Sequence, residues 1–593
     1  MASEAGRPDP RGERYKWVAL TNTTMGVLLA TIDSSIMLIA MPDIFRGVRL
    51  NPLAPGNSFY LLWMILGFLI VSSVLVVSLG RLGDMYGRVK MYNLGFVVYT
   101  ASSLLLTVDP LTSRAGAMWL IVGRIAQGVG AAFLIANSAA ILTDAFPTNQ
   151  RGLALGINNI AGISGSFIGL LLGGILAPID WRLVFLVSVP FGLAGTIWAY
   201  TKLEDRGIRR RERIDWLGNV TFAAGLILLM IGITYGIEPA GGHDMGWTSA
   251  KVLAELGSGV VLLLAFLVIE TRVRNPMFRL RLFGIRAFSF GTLSTFLSAV
   301  GRGGLMFMLI IWLQGIWLPE HGYSFVNTPL WAGIYMLPLT AGFLLAGPAS
   351  GILSDHFGSR PFATGGMIGA AATFVLLLLL PVDFSYWEFA LILLLNGLSM
   401  GAFASPNRAG VMNSLPADQR GAGGGMNATF QSSAQVLSIG IFFTLMIIGL
   451  STALSTDLSG GLAAHGVAPA VASRVGHLPP VSVLFAAFLG YNPIRSLVGA
   501  KALGSVSAAN RAVLTGHSFF SRLIARPFHS GLIEAFAFAA AACLVAATAS
   551  WFRGQRYVDE GIVTPGSATP APAPSERPGA AERPAAGRAA PGR

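Results

Sequence analysis

Apolar residues in this chain run in long blocks separated by short polar or basic stretches. A bilayer is crossed by about 20 mostly apolar residues in helical form. Blocks meeting that length fall near 17–40, 58–80, 90–107, 116–146, 151–177, 183–201, 216–237, 250–270, 287–316, 329–353, 362–381, 386–412, 421–451 and 531–552. Fourteen crossings put both chain ends on the same side. Basic residues mark that side as cytoplasmic. Arg81, Arg88 and Lys90 follow the second block, and Lys202, Arg206, Arg209, Arg210, Arg211 and Arg213 follow the sixth. Arg272, Arg274, Arg279 and Arg281 follow the eighth, whereas 238–249, 317–328 and 382–385 hold no Lys or Arg. Arg46 and Arg49 fall outside in this arrangement and depart from the bias. The pattern predicts an all-α integral membrane protein.

The polar stretches also repeat. Pro147-Thr148-Asn149-Gln150-Arg151-Gly152, followed by Gly156 and Asn158, returns as Pro416-Ala417-Asp418-Gln419-Arg420-Gly421, followed by Gly425 and Asn427. Gly80-x-x-x-Asp84-x-x-Gly87 returns as Gly351-x-x-x-Asp355-x-x-Gly358. Both echoes have an interval of about 270 residues, the mark of a duplicated unit. The duplication divides the chain into an N-terminal six-helix bundle over 17–201 and a C-terminal one over 287–552. Between them, 202–286 is a linker with two unpaired spans, giving 6 + 2 + 6. Residues 1–16 read as a retained cytoplasmic tail. Within the second bundle, 452–530 reads as a long outward loop. Its short apolar run, Val481 to Tyr491, is too short to span and is expected as an interfacial or re-entrant helix, or as a loop cap without a role in transport. The Pro/Ala/Gly-rich end, 553–593, cannot build a core and is expected to be a disordered cytoplasmic tail.

Composition agrees with that class and narrows the partners. Hydrophobic residues make up 53% and charged residues 12%, against roughly 25% charged in a soluble chain. The net charge of +13 sits beside apolar blocks and in the tails, so it argues for lipid headgroups and against nucleic acid. The lone Cys543 excludes internal disulfides and cysteine-based metal or redox sites. No cofactor and no metal is expected, and the chain is expected to act as a monomer. Abundant Ala, Gly, Arg and Pro suggest a bacterial source, hence the cell membrane.

Five further stretches carry a family likeness. Gly80-Arg81-Leu82-Gly83-Asp84-Met85-Tyr86-Gly87-Arg88-Val89-Lys90 resembles the loop motif of the major facilitator superfamily, with Gly83 where Ala is usual. Thr31-Ile32-Asp33-Ser34-Ser35-Ile36 through Pro42 resembles the first-helix motif of its fourteen-helix drug:proton antiporters, with Leu38 in place of Asn. Arg124-x-x-Gln127-Gly128-x-Gly130 matches the fourth-helix motif. Gly165-x-x-x-Gly169-Leu170-x-x-Gly173-Gly174 resembles the antiporter motif, with Leu170 where proline is usual. Trp181-Arg182 followed by Val189-Pro190 resembles the start of the sixth helix. The resemblance covers roughly 17–552 and implies two bundles rocking about a central cavity, driven by protons, that export an amphipathic hydrophobic molecule.

Several residues are candidates on physical grounds. Asp33 lies about 16 residues, near 24 Å, from the cytoplasmic end of its span. A carboxylate at that depth costs several kcal/mol as an anion, and a group that gains and loses a proton inside a cavity is what proton coupling requires. Arg124 lies at similar depth, so the two can face each other across the N-terminal cavity, or form a static buried pair. Arg302, with Gly301, Gly303 and Gly304 around it, is a second intramembrane cation, where the helix can kink or admit a close neighbour. It meets an anionic substrate or only a local dipole. Asn158, Asn159, Asn396, Gln431 and Gln435 either line a cavity or bond between helices. Gly165, Gly169 and Gly173, with Gly174, form a face for close helix packing that seals against leak.

For the loop motif, glycines allow a tight turn, Asp84 can hold a helix N-terminus of the other half, and Arg88 can pair with a nearby acid. The resemblance implies that Gly80, Gly83, Asp84, Gly87, Arg88 and Lys90 latch one state. The second copy keeps Asp355 and offers Arg360 in place of Arg88. An alternative cargo is an endogenous lipid or secondary metabolite, which the long outward loop would suit. A non-transporting membrane receptor would need no ionisable group at Asp33. A membrane enzyme would need clustered His, Asp or Glu, and the seven histidines are mostly in loops.

Overall fold

The computed structural model describes residues 10–554 apart from 52, 55, 148–149, 206–214, 242–244, 417–418 and 491, with side chains left aside at 10–13, 151–153, 355 and 420–421. The tail expected over 553–593 lies outside the described residues beyond Gly554. Backbone amides find no water in hydrocarbon, so each crossing segment must satisfy its own hydrogen bonds as a helix. Among the described residues, fourteen helices are long and apolar enough to cross. They are α1 (Pro10–Gly47), α2 (Asn57–Tyr86), α3 (Arg88–Thr107), α4 (Ser113–Ala145), α5 (Arg151–Leu176), α6 (Leu183–Lys202) and α7 (Trp216–Gly236). The second set is α8 (Ala250–Arg272), α9 (Arg286–Glu320), α10 (Thr328–Ser354), α11 (Ser359–Leu379), α12 (Tyr386–Asn413), α13 (Arg420–Ala464) and α14 (Phe519–Trp551). The first helix already starts at Pro10, inside the tail expected over 1–16.

The start of α1 meets the end of α6, where Tyr15 Oη donates to the Glu204 carbonyl over 2.7 Å. In the same way, Arg286 at the start of α9 donates to the Phe552 carbonyl after α14, 2.9 Å away. We call this the near end and the opposite one the far end. Six helix pairings in the first bundle, α1–α4, α1–α5, α1–α6, α2–α4, α3–α4 and α3–α6, recur as α9–α12, α9–α13, α9–α14, α10–α12, α11–α12 and α11–α14. Glycines allow the closest of these contacts. A Cβ on Gly95 of α3 would meet the Gly130 carbonyl of α4 at 3.1 Å, and one on Gly449 of α13 would meet Gly531 of α14.

The two extra spans pack on each other and sit against the seam between the bundles. A Cβ on Gly259 of α8 would meet the Gly225 carbonyl of α7 at 3.0 Å. Helix α7 contacts both α2 and α13. Asn219 of α7 accepts a hydrogen bond from Ser78 of α2, and Gly440 of α13 faces Ile233 of α7.

The outward loop differs from expectation. Helix α13 continues to Ala464 and α14 begins at Phe519, so the intervening segment is 465–518 and not 452–530. The extension is too polar to count as membrane, but its Leu454, Leu458 and Leu462 recur every four residues and are all buried. They give the extra turns a packing face. Between the two spans, helices Pro469–Gly476 and Pro480–Phe488 meet at 88°. All nine residues of the second are buried. It touches α2, α9, α13 and α14, so it plugs the far end between the two bundles. The short apolar run expected over Val481–Tyr491 thus forms a buried helix that begins at Pro480; Tyr491 is outside the described residues.

Candidate functional site

Three sites carry the candidate residues. The first is an ion pair inside the N-terminal bundle. Asp33 of α1 and Arg124 of α4 are 0% and 1% exposed and hydrogen-bonded to each other. Arg124 Nη1 also donates to Gln127 Oε1 at 2.7 Å, and its Nε to the Met64 carbonyl of α2 at 3.3 Å. Gln127 donates to Asp33 Oδ1 at 3.0 Å and to Ser103 Oγ of α3 at 2.9 Å. The guanidinium lies 4.3 Å from the Phe68 ring centroid. Both carboxylate oxygens are thus bonded, and four helices meet on one charge pair. The pair does not face a cavity across open space, as expected from depth alone. The helices close over it because an unbonded charge in this interior would cost far more than a paired one.

The second site is the near-end turn between α2 and α3. Gly87 has φ 110°, a backbone conformation that side chains rarely adopt. A Cβ on Gly83 would collide with Asn137 of α4, while Gly80 has ordinary space. Arg88 bonds Asp84 at 2.8 Å and Asp144 of α4 at 2.6 Å. Asp84 is held by Arg88 in this state and not by a helix end of the other bundle. Lys90 is exposed. In the second copy Arg360 stacks 4.0 Å from the Trp551 ring centroid, while the Asp355 side chain is outside the described part.

The third site is a cavity between the bundles, about 670 Å³ including its mouth. Helix periodicity explains its lining. Thr295, Ser298, Ala299 and Arg302 share one face of α9, and Met400, Phe403, Ala404, Asn407 and Arg408 one face of α12. Asn427 and Gln431 come from α13, Phe343 from α10, and Asn159 with Ile163 from α5. Arg408 donates to Asn159 Oδ1 over 3.1 Å, joining the bundles. The far side is shut. A Cβ on Gly174 of α5 would meet the backbone of Leu330 in α10, and one on Gly333 would meet the Leu170 carbonyl.

Of the expected amides, Asn159 and Gln431 line the cavity and Asn158, Asn396 and Gln435 do not. Asn158 donates to Ser138 of α4 over 3.2 Å and Asn396 to Thr373 of α11 over 2.8 Å. Their bundles each absorb them. Gly165, Gly169 and Gly173 press α5 onto the backbone and side chains of α1 at Leu28–Thr31, Ile32–Ser35 and Ile36–Ile39. Gly174 faces the other bundle instead. Near Arg302, the Ser438 hydroxyl accepts from the Gly304 amide (2.7 Å) and donates to the Val300 carbonyl. It thereby inserts into the ladder of α9. Arg408 does not stand out in the sequence, because an arginine four residues from the near end of an apolar block looks like flanking charge.

Comparison with known proteins now adds the lineage. The profile of the Major Facilitator Superfamily matches residues 23–439. The chain is 26% identical to the riboflavin transporter RibZ of Clostridioides difficile over 80% of its own length and 96% of the relative. It is equally 26% identical to the tetracenomycin C resistance and export protein of Streptomyces glaucescens, over 92% and 93%. The methyl viologen resistance protein SmvA of Salmonella typhimurium matches at 28%, over 77% and 88%. Among solved structures, an inward-facing bacterial homologue of the lysosomal transporter Spinster superposes with TM-score 0.53 at 16% identity, covering 93% of this chain and all of that one. The profile spans most of the helices described above, and the chain belongs to the major facilitator superfamily.

Proposed function

We propose that this chain is a proton-coupled antiporter that exports amphipathic small molecules by alternating access across the bacterial plasma membrane, with its termini in the cytoplasm. The observation that carries the reading is the position of α5. This helix presses its glycines on α1 at Ile32, next to Asp33; it carries Asn159 into the cavity; and it closes the far end through Gly174. Protonating Asp33 neutralises it and weakens its hold on Arg124. The helices α1 and α4 then relax against each other. A shift in α1 passes to α5 across the glycine face, loosening or tightening the far-end seal while altering the cavity. The near-end residues Gly80, Gly83, Asp84, Gly87, Arg88 and Lys90, with Asp355 and Arg360, act as the latch that holds the near end when it shuts. The names of the relatives, which pair resistance with export in one case and name riboflavin in another, favour a small-molecule cargo.

The test is transport in proteoliposomes under an imposed pH gradient, comparing the parent with Asp33→Asn. The parent should move cargo several-fold faster with the gradient, and the variant should ignore it. Equal rates in both, with no response to the gradient, would remove Asp33 from coupling.

A further inference from the structure

The two bundles treat charge in opposite ways. Displaced by the repeat interval of about 270 residues, Asp33 falls within one helical turn of Arg302, and Arg124 within one turn of Asn396. The acid of the first bundle is replaced by a base, and its basic partner by an amide. Asp33 and Arg124 neutralise each other away from the cavity. Arg302 instead opens onto the cavity, where its closest described interaction is the Phe343 ring, 5.7 Å from its Cζ.

A second cation stands on the same cavity. Among the described residues, Arg408 bonds a neutral oxygen there, Asn159 Oδ1. Among the described lining residues there is no carboxylate at all. Each guanidinium carries five N–H donors and cannot shed its charge. One neutral acceptor and one aromatic face are all that the described residues offer these donors, and both arginine side chains are otherwise exposed to the cavity. The Asn407 amide donates to the Gly291 carbonyl and to Thr295 Oγ1, while its own Oδ1 makes no described bond to either arginine. Uncompensated cations within the membrane body are costly and mark a substrate path.

The rest of the lining is apolar in a defined place. Phe343, Met400, Phe403 and Ile163 supply flat and flexible surface beside the two arginines. A cation or a neutral hydrocarbon would leave the arginines bare, and a cation would be repelled by them. A carboxylate or sulfonate takes two parallel bonds from a guanidinium fork.

We propose that the cavity selects organic anions: an acidic head bound by Arg302 and Arg408, and an apolar body laid along Phe343, Met400 and Phe403. This inference rests on the export reading for its physiological meaning, but its chemistry concerns binding alone. An anionic phospholipid offers the same head chemistry and is separated from a small organic anion by the test.

The test uses the purified full-length protein in detergent with no gradient, so that failure of coupling leaves it intact. Two fluorescent probes of similar size are titrated, the anion 8-anilinonaphthalene-1-sulfonate and a lipophilic pyridinium dye. The variants are Arg302→Gln, Arg408→Gln and Arg302→Lys. The parent should prefer the anion, each Gln variant should weaken it on the order of ten-fold, and Arg302→Lys should lose less because it keeps the charge. Monodisperse elution and an unchanged unfolding temperature exclude misfolding of the Gln variants. Equal or tighter binding of the pyridinium by the parent overturns the proposal, as does full anion affinity in folded Arg302→Gln and Arg408→Gln. Short-chain phosphatidylglycerol is titrated alongside. Arginine dependence for the sulfonate, with or without the lipid, supports the assignment; dependence for the lipid alone overturns it for small organic anions.

Discussion

Gly174 of α5 lies so close to Leu330 of α10 that one added carbon on Gly174 would sit 2.5 Å from the Leu330 Cα. This contact joins the two bundles at the far end, and no side chain is interposed. Its energy is that of close helix packing, which lipid cannot replace. Gly174→Val should push the two helices apart and open the far end. In a Cys543→Ala background, a cysteine at the buried Gln314, whose amide now reaches the Ile39 carbonyl of α1, reports the change. Its labelling by a membrane-impermeant maleimide should rise several-fold with Gly174→Val. An unchanged rate would show that the seal lies elsewhere.

The pair Asp33–Arg124 makes a non-additive prediction. Removing one member of a buried pair costs about 3–5 kcal/mol, since the other charge is stranded. Arg124→Met should therefore lower thermal stability in detergent sharply. Adding Asp33→Asn to it should restore much of the loss, because the neutral pair leaves no orphaned anion. Losses that simply sum would mean that the two residues do not share one electrostatic environment.

The plug makes a third. A Cβ on Gly315 of α9 would meet the Ala487 backbone at 3.2 Å and the Phe488 amide at 3.3 Å, and neither can yield as a side-chain tip could. Gly315→Val should displace helix Pro480–Phe488 at a cost of about 1–3 kcal/mol. Limited proteolysis should then cut within 465–518 faster than in the parent. Equal cutting would show that the helix is seated by its other contacts, among them the ring pairs Phe307–Phe488 and Phe443–Phe485.

Asp109, in the turn after α3, gives a pH signature. Its carboxylate is 1% exposed; one oxygen accepts from the Leu111 amide at 2.9 Å and the other has no partner. Burial raises its pKa above the ordinary 3.8, with the Leu111 amide and Arg182 opposing. Above the raised value the folded state holds a buried anion and carries the whole penalty. As pH falls through that value the folded chain takes up the proton first, so the penalty fades and is gone below 3.8. Asp109→Asn should raise the unfolding temperature at pH 7 by a few degrees, with the gain shrinking toward acid. A gain independent of pH would assign the effect to packing instead of charge.

Much of this arrangement is written in local patterns. Blocks of apolar residues locate all fourteen crossings because hydrocarbon makes helix formation compulsory wherever they enter it. Asp33, Arg124 and Gln127 stand out because polar groups are rare at that depth. What the residues could not reveal is which way each polar side chain turns. Asn158 and Asn159 are neighbours, yet one bonds within its bundle and the other reaches the cavity. A rotation of about 100° per residue separates the two outcomes. Arg408 was hidden by its place near a helix end, and the extension of α13 by its polarity. Leu454, Leu458 and Leu462 acquire their meaning only from the helix packed against them.

Helix α7 has a consequence for molecules dissolved in the bilayer. By leaning on both α2 and α13 it curtains the crevice between the two bundles on that flank, so a lipophilic molecule diffusing in the leaflet meets the back of a helix there. The opposite flank, along α5, has no such screen among the described helices. Helix α7 thus covers one of the two flanks along which the bundles meet.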